Sequence, residues 1–101
     1  MALVPINGTV VEVGPDENGL SDVTFAHVLI RQEDGKLREF ATVYAIYEVA
    51  GLVEPKGTGT FVFSDGPTEC RLAFVFRDTG ARAVDSEALY HHFESAAREN
   101  T

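Results

Sequence analysis

Gly57-Thr-Gly-Thr-Phe-Val-Phe-Ser64, then Asp65-Gly-Pro-Thr68, Glu69 and Cys70-Arg-Leu-Ala-Phe-Val-Phe-Arg77, is the stretch whose reading decides the fold. Two apolar, β-branched and aromatic runs flank a Gly-Pro turn, which is the signature of a hairpin. Side chains alternate across a strand. Phe61 and Phe63 are therefore expected on one face, with Leu72, Phe74 and Phe76 on the matching face of the second strand. Four phenylalanines and a leucine on one side require cover, because apolar patches of that size rarely stay in water. The rest of the chain has to supply it.

Upstream, Leu3 to Val13 reads as a first strand, with Thr9, Val11 and Val13 on one face and Val10 and Glu12 on the other. Gly14 to Gly19 has loop composition. Asp22 to Gln32 reads as a second strand, carrying Val23, Phe25, His27 and Leu29 against Thr24, Ala26, Val28 and Ile30. Both faces are largely apolar, which suits a central, doubly covered strand. Asp34-Gly35 gives the hairpin turn to the next segment. Leu37 to Val49 fits a strand, with Phe40, Thr42, Tyr44 and Ile46 on one face, or a helix with Phe40, Val43, Tyr44 and Tyr47 in a stripe. Its aromatic and β-branched content favours the strand, with a helical turn near Tyr47 to Leu52.

Downstream, Asp78-Thr79-Gly80 is a turn and Ala81 to Val84 a connector. Asp85 to Asn100 reads as a helix, with Asp85 as N-cap and Val84 and Leu89 spaced as a hydrophobic staple. Its apolar stripe is Leu89, His92, Phe93, Ala96 and Ala97. The expected fold is mainly β: a small, partly open antiparallel barrel of about five strands in OB-like order, with a C-terminal helix. A two-layer α+β sheet is the alternative. A length of 101 residues suits one domain, with sheet over 3–84 and helix over 85–100.

The formal net charge of -8 works against non-specific attraction to nucleic acid or anionic lipid. Cys70 is the one cysteine, which points to a reducing, cytoplasmic setting. No signal peptide or membrane-length apolar run is apparent, so no membrane association is expected.

Asp78-Thr79-Gly80-Ala81 resembles the catalytic motif of aspartic proteases, in which two carboxylates share a proton. Arg77 stands where that family has an apolar residue. The 21 residues after Gly80 leave no room for its later strands. Lys56-Gly57-Thr58-Gly59-Thr60-Phe61-Val62-Phe63 resembles the octapeptide of RNA-recognition motifs and the similar run of cold-shock barrels. Those families stack bases on aromatics where this chain has Thr58 and Thr60. Lys56-Gly57-Thr58 lacks the preceding strand and following helix of a phosphate loop.

His91 and His92, as helix neighbours, point about 100° apart. Glu87, His91 and Glu94 share a helical face but lack the ligand count of a closed metal site. No metal or other cofactor is expected, and no catalytic set stands out, which points away from an enzyme.

The leading functional expectation is a non-catalytic interaction or accessory domain that self-associates as a dimer. The first alternative is single-stranded nucleic-acid binding through Lys56, Arg71 and Arg77. The second is a small-ligand binder or enzyme with a pocket formed by His27, Tyr44, Tyr47 and His92.

Overall fold

The computed structural model describes residues 2–65 and 70–88, with Ala2 and Asp65 as backbone. Its strands are β1 Ala2–Val13, β2 Asp16–Asn18, β3 Asp22–Gln32, β4 Leu37–Ile46, β5 Thr58–Asp65, β6 Cys70–Arg77 and β7 Arg82–Val84. One helical turn, α1 Tyr47–Ala50, follows β4. The expected loop at Gly14 to Gly19 contains β2, and the expected connector at Ala81 to Val84 contains β7. Both are short strands added beside longer ones, β2 on β3 and β7 on β6. Among the described residues, no helix is long and apolar enough to cross a membrane.

Five strands form a ring, β1–β5–β6–β4–β3 and back to β1. The long first strand closes it. Ala2 to Thr9 pair with β5, and Gly8 to Val13 pair with β3. All neighbours in the ring are antiparallel except β4 and β6, which run parallel through two register pairs, Val43–Cys70 and Tyr44–Arg71. Gly8 and Gly59 lie opposite each other where β1 passes from one partner to the other. A Cβ on Gly8 would stand 2.1 Å from the Arg31 carbonyl oxygen, and one on Gly59 2.2 Å from that of Phe76. Backbone packs against backbone here, and only glycine permits it. The Gly-Thr-Gly run thus has a packing cause.

Phe61, Phe63, Leu72, Val75, Val28, Ile30 and Val43 fill the interior with no more than trace exposure. Phe40 stacks on Phe63 with ring centroids 3.9 Å apart. Val49 of α1 is fully buried, and α1 packs against β3, β4, β6 and β7.

Three irregularities change which side chains face inward. In the β5–β6 ladder, Phe63 pairs with Leu72 but Val62 pairs with Phe74, so Ala73 is an extra residue. Leu72 and Val75 consequently point inward, Phe74 is half-buried, and Phe76 is 42% exposed. The expectation that Leu72, Phe74 and Phe76 share the covered face is corrected by this bulge, which shifts the alternation by one residue. A second bulge in β1, between Val10 and Glu12, buries Val10 and leaves Val11 39% exposed. Thr9, Val11 and Val13 are thus not a common inner face.

The third irregularity runs through β3 and β4 together. Inward residues are Val23 and Phe25, then Val28 and Ile30, on β3, and Phe40, then Val43 and Ala45, on β4. The ladder keeps its register throughout, with Phe25 opposite Val43 and Val28 opposite Phe40. Thr42 takes a φ of 53°, a left-handed conformation that few β-branched residues adopt. Thus β3 is not covered on both faces: Ala26 is exposed, and His27 and Leu29 are half-buried. Phe40 likewise parts from Thr42, Tyr44 and Ile46.

Two local expectations carry over. The turn after β3 has Gly35 at φ 88°, with its N–H donating to the Gln32 carbonyl. Asp85, 4% exposed, accepts the Ala88 N–H on Oδ1 at 3.1 Å and caps the helical residues 86–88. Leu89, His91, His92, Phe93, Glu94 and the rest of the helix expected to Asn100 lie outside the described residues.

Candidate functional site

The residues expected to form a pocket are set apart by the ring. His27 leaves β3 on the outer side, where its Nε2 lies 3.4 Å from Glu12 Oε1. Its ring covers Gly14, where a Cβ would come within 2.6 Å of Nδ1. Tyr44 is half-buried on β4 between Thr24 and Arg71 in register. Tyr47 begins α1, and its hydroxyl donates to the Gly19 carbonyl across to the turn before β3. His92 lies outside the described residues. Of His27, Tyr44 and Tyr47, only Tyr47 lines the cleft described below.

The three cations of the nucleic-acid alternative divide in the same way. Arg71 on β6 reaches Asp22 Oδ2 and Asp85 Oδ2, each at 3.3 Å, and so ties β6 to the start of β3 and to the helix cap. Arg77 donates to the Leu52 carbonyl at 3.0 Å and lies 3.4 Å from Glu54, with its side chain 13% exposed. Lys56 is exposed, but its backbone N–H is bound to the Val10 carbonyl. Two of the three are thus engaged in holding the fold. The threonines in place of stacking aromatics pair across strands: Thr58 with Thr9 at 3.0 Å, and Thr60 donating to Asn7 at 2.6 Å.

A cleft of about 500 Å³ opens between the β1–β2 connection and the chain from α1 to Pro55. Buried Val23, Phe25 and Val53 form its apolar floor. Asp16, Asn18, Tyr47 and Glu54 stand around its mouth, and among the described residues no lysine or arginine lines it. Among the described residues, no group of three or more His, Cys, Asp or Glu side chains could hold a metal ion.

A second surface arises from the β6 bulge. Pro5 pairs with Val62, Val62 with Phe74, and Phe74 with Val84, a row across β1, β5, β6 and β7. Beside it run Asn7, Thr60, Phe76 and Arg82. Pro5, Phe76 and Val84 are exposed, and Val62 and Phe74 half-buried. Neither row contains a carboxylate, although the chain carries 16 Asp and Glu residues.

Sequence reasoning found Tyr47 but missed Asp16, Asn18 and Glu54, because nothing local brings the first loop beside residues 50–55. It singled out Phe74 and Phe76, but for the interior. Comparison with family models, curated proteins and solved structures finds no match for this chain.

Proposed function

We propose that this chain is a non-catalytic, self-associating interaction domain built on an OB-like ring. Two copies meet through the outer rows of β1, β5, β6 and β7. The observation that carries this reading is the row Pro5, Val62, Phe74 and Val84, flanked by Phe76 and free of carboxylates. A protein of charge -8 repels its own copy over most of its surface. An apolar strip without acidic side chains is where that repulsion is least and burial gains most. A two-fold contact uses the same strip twice, as a self-complementary interface requires. The OB-like reading rests on the ring order and on the parallel β4–β6 contact after the α1 turn. A buried Cys70 fits the reducing, cytoplasmic setting proposed for it.

Sedimentation equilibrium at micromolar concentration tests the proposal. The expected result is a dimer that tightens with added salt, since salt screens like charges. Phe76→Ser with Val84→Ser should return it to the 11.0 kDa monomer while changing unfolding stability by less than about 1 kcal/mol. A wild-type protein that stays at the monomer mass at all salt concentrations would overturn it. Sub-micromolar binding of mixed single-stranded oligonucleotides, with a salt slope, would instead favour the nucleic-acid alternative.

A further inference from the structure

The cleft beside α1 lies on a different part of the ring from the proposed self-association surface, and its chemistry stands independently of that proposal. Its volume of about 500 Å³ falls in the range of ligand-binding sites. The floor of Val23, Phe25 and Val53 is apolar and buried, which suits a hydrocarbon stem. The mouth carries Asp16 and Glu54. Glu54 is shared with Arg77 at 3.4 Å, whereas Asp16 has no ion-pair partner among the described residues. Tyr47 stands 43% exposed at the edge, its ring held in place by the hydroxyl bond to Gly19. An apolar stem ending in a cation is the group this combination fits, through carboxylates at the tip and an aromatic face at the side.

The walls are already fixed. The Gly14 N–H donates to the His27 carbonyl at 2.8 Å, Ala26 to Pro15 at 2.9 Å, and Gly19 to Asp22 at 2.7 Å. Binding therefore orders little new backbone. One wall, β2, ends the path of paired strands. Its outer edge is unpaired among the described residues, so a partner's extended main chain can bond there while its side chain enters the cleft. We infer that this cleft receives a lysine or arginine side chain from a short extended segment of a partner protein. Charge complementarity selects that occupant: among the described residues carboxylates line the mouth and no cation does, in a chain whose overall charge repels acidic segments.

The test is a titration of the full chain, labelled with ¹⁵N, with the blocked tripeptide acetyl-Val-Lys-Val-amide. Its glutamate counterpart and n-butylammonium serve as comparisons. The expected result is a set of amide shifts centred on Gly14, Asn18, Tyr47 and Gly51 for the lysine peptide and none for the glutamate peptide. Asp16→Asn with Glu54→Gln should weaken binding about fivefold to tenfold, while Glu33→Gln with Asp34→Asn at the distant β3–β4 turn leaves it unchanged. Thermal melts of both variants establish that each is folded. Shifts shared by the glutamate peptide, absent from the cleft, or weakened equally by the distant pair would overturn the assignment. So would n-butylammonium binding as tightly as the tripeptide, which would make the occupant a free amine. Cleft shifts that appear on concentrating the protein alone would name a second copy instead, and would also overturn it.

Discussion

The hairpins β3–β4 and β5–β6 are built from similar apolar, aromatic-rich strands, and each loses strict alternation once. They lose it differently. In β3–β4 the inward set steps by three residues on both strands at once, from Phe25 to Val28 and from Phe40 to Val43. Both ends of both strands therefore keep apolar side chains inside. In β5–β6 the step falls on one strand only, at Ala73. Phe61 and Phe63 stay inside, but Phe74 and Phe76 pass to the outer face. A slip shared by two strands bends the sheet around its core, whereas a slip in one strand re-aims half of it. The second kind creates the surface proposed for self-association.

The largest expected effect lies on the side of the comparison that did not move. Phe63→Ala removes a ring with no exposure that stacks on Phe40, and should cost about 3–5 kcal/mol in a denaturant melt. Phe74→Ala, on the re-aimed half, should cost about 1–2 kcal/mol, because a half-buried ring loses less on truncation. Equal losses at the two positions would mean that the bulge does not turn Phe74 outward. Thr42→Gly probes the shared slip. It relieves a left-handed β-branched residue at some cost in chain entropy, for a net gain of about 0.5–1 kcal/mol. A clear loss at Thr42 would place the bend elsewhere. The smallest effect on stability belongs to Phe76→Ser, under about 0.5 kcal/mol, with its consequence read in the sedimentation mass instead.

The elements were legible where one local signal sufficed. Asp22 and Gln32 bound β3 as expected, Asp34-Gly35 made the turn, and Asp85 capped a helix start. Facing was not legible in the same way. Leu72, Ala73, Phe74, Val75 and Phe76 are all apolar, so either phase of the strand presents an acceptable inner face. The choice is made by register against β5. The slip at Thr42 is hidden for a similar reason, since neither Ala41 nor Thr42 announces a left-handed residue. Of the site, Tyr47 could be picked out as an aromatic near a helical turn. Asp16 and Glu54 meet only through tertiary closure, 38 positions apart in the chain.

Closure by the first strand has a consequence for how the chain acquires its structure. The Thr9–Thr58 contact spans 49 residues, and every β1–β5 pair lies at least that far apart. Folds dominated by such distant pairings form on the millisecond-to-second scale rather than in microseconds. During synthesis at about 5–20 residues per second, β1 waits several seconds for the strand that will cover its amino-terminal half. Pro5 lies in that half, opposite Val62, and contributes no N–H. While β5 is still being made, the missing donor weakens any mistaken pairing of β1 with another chain, so this residue protects the nascent strand.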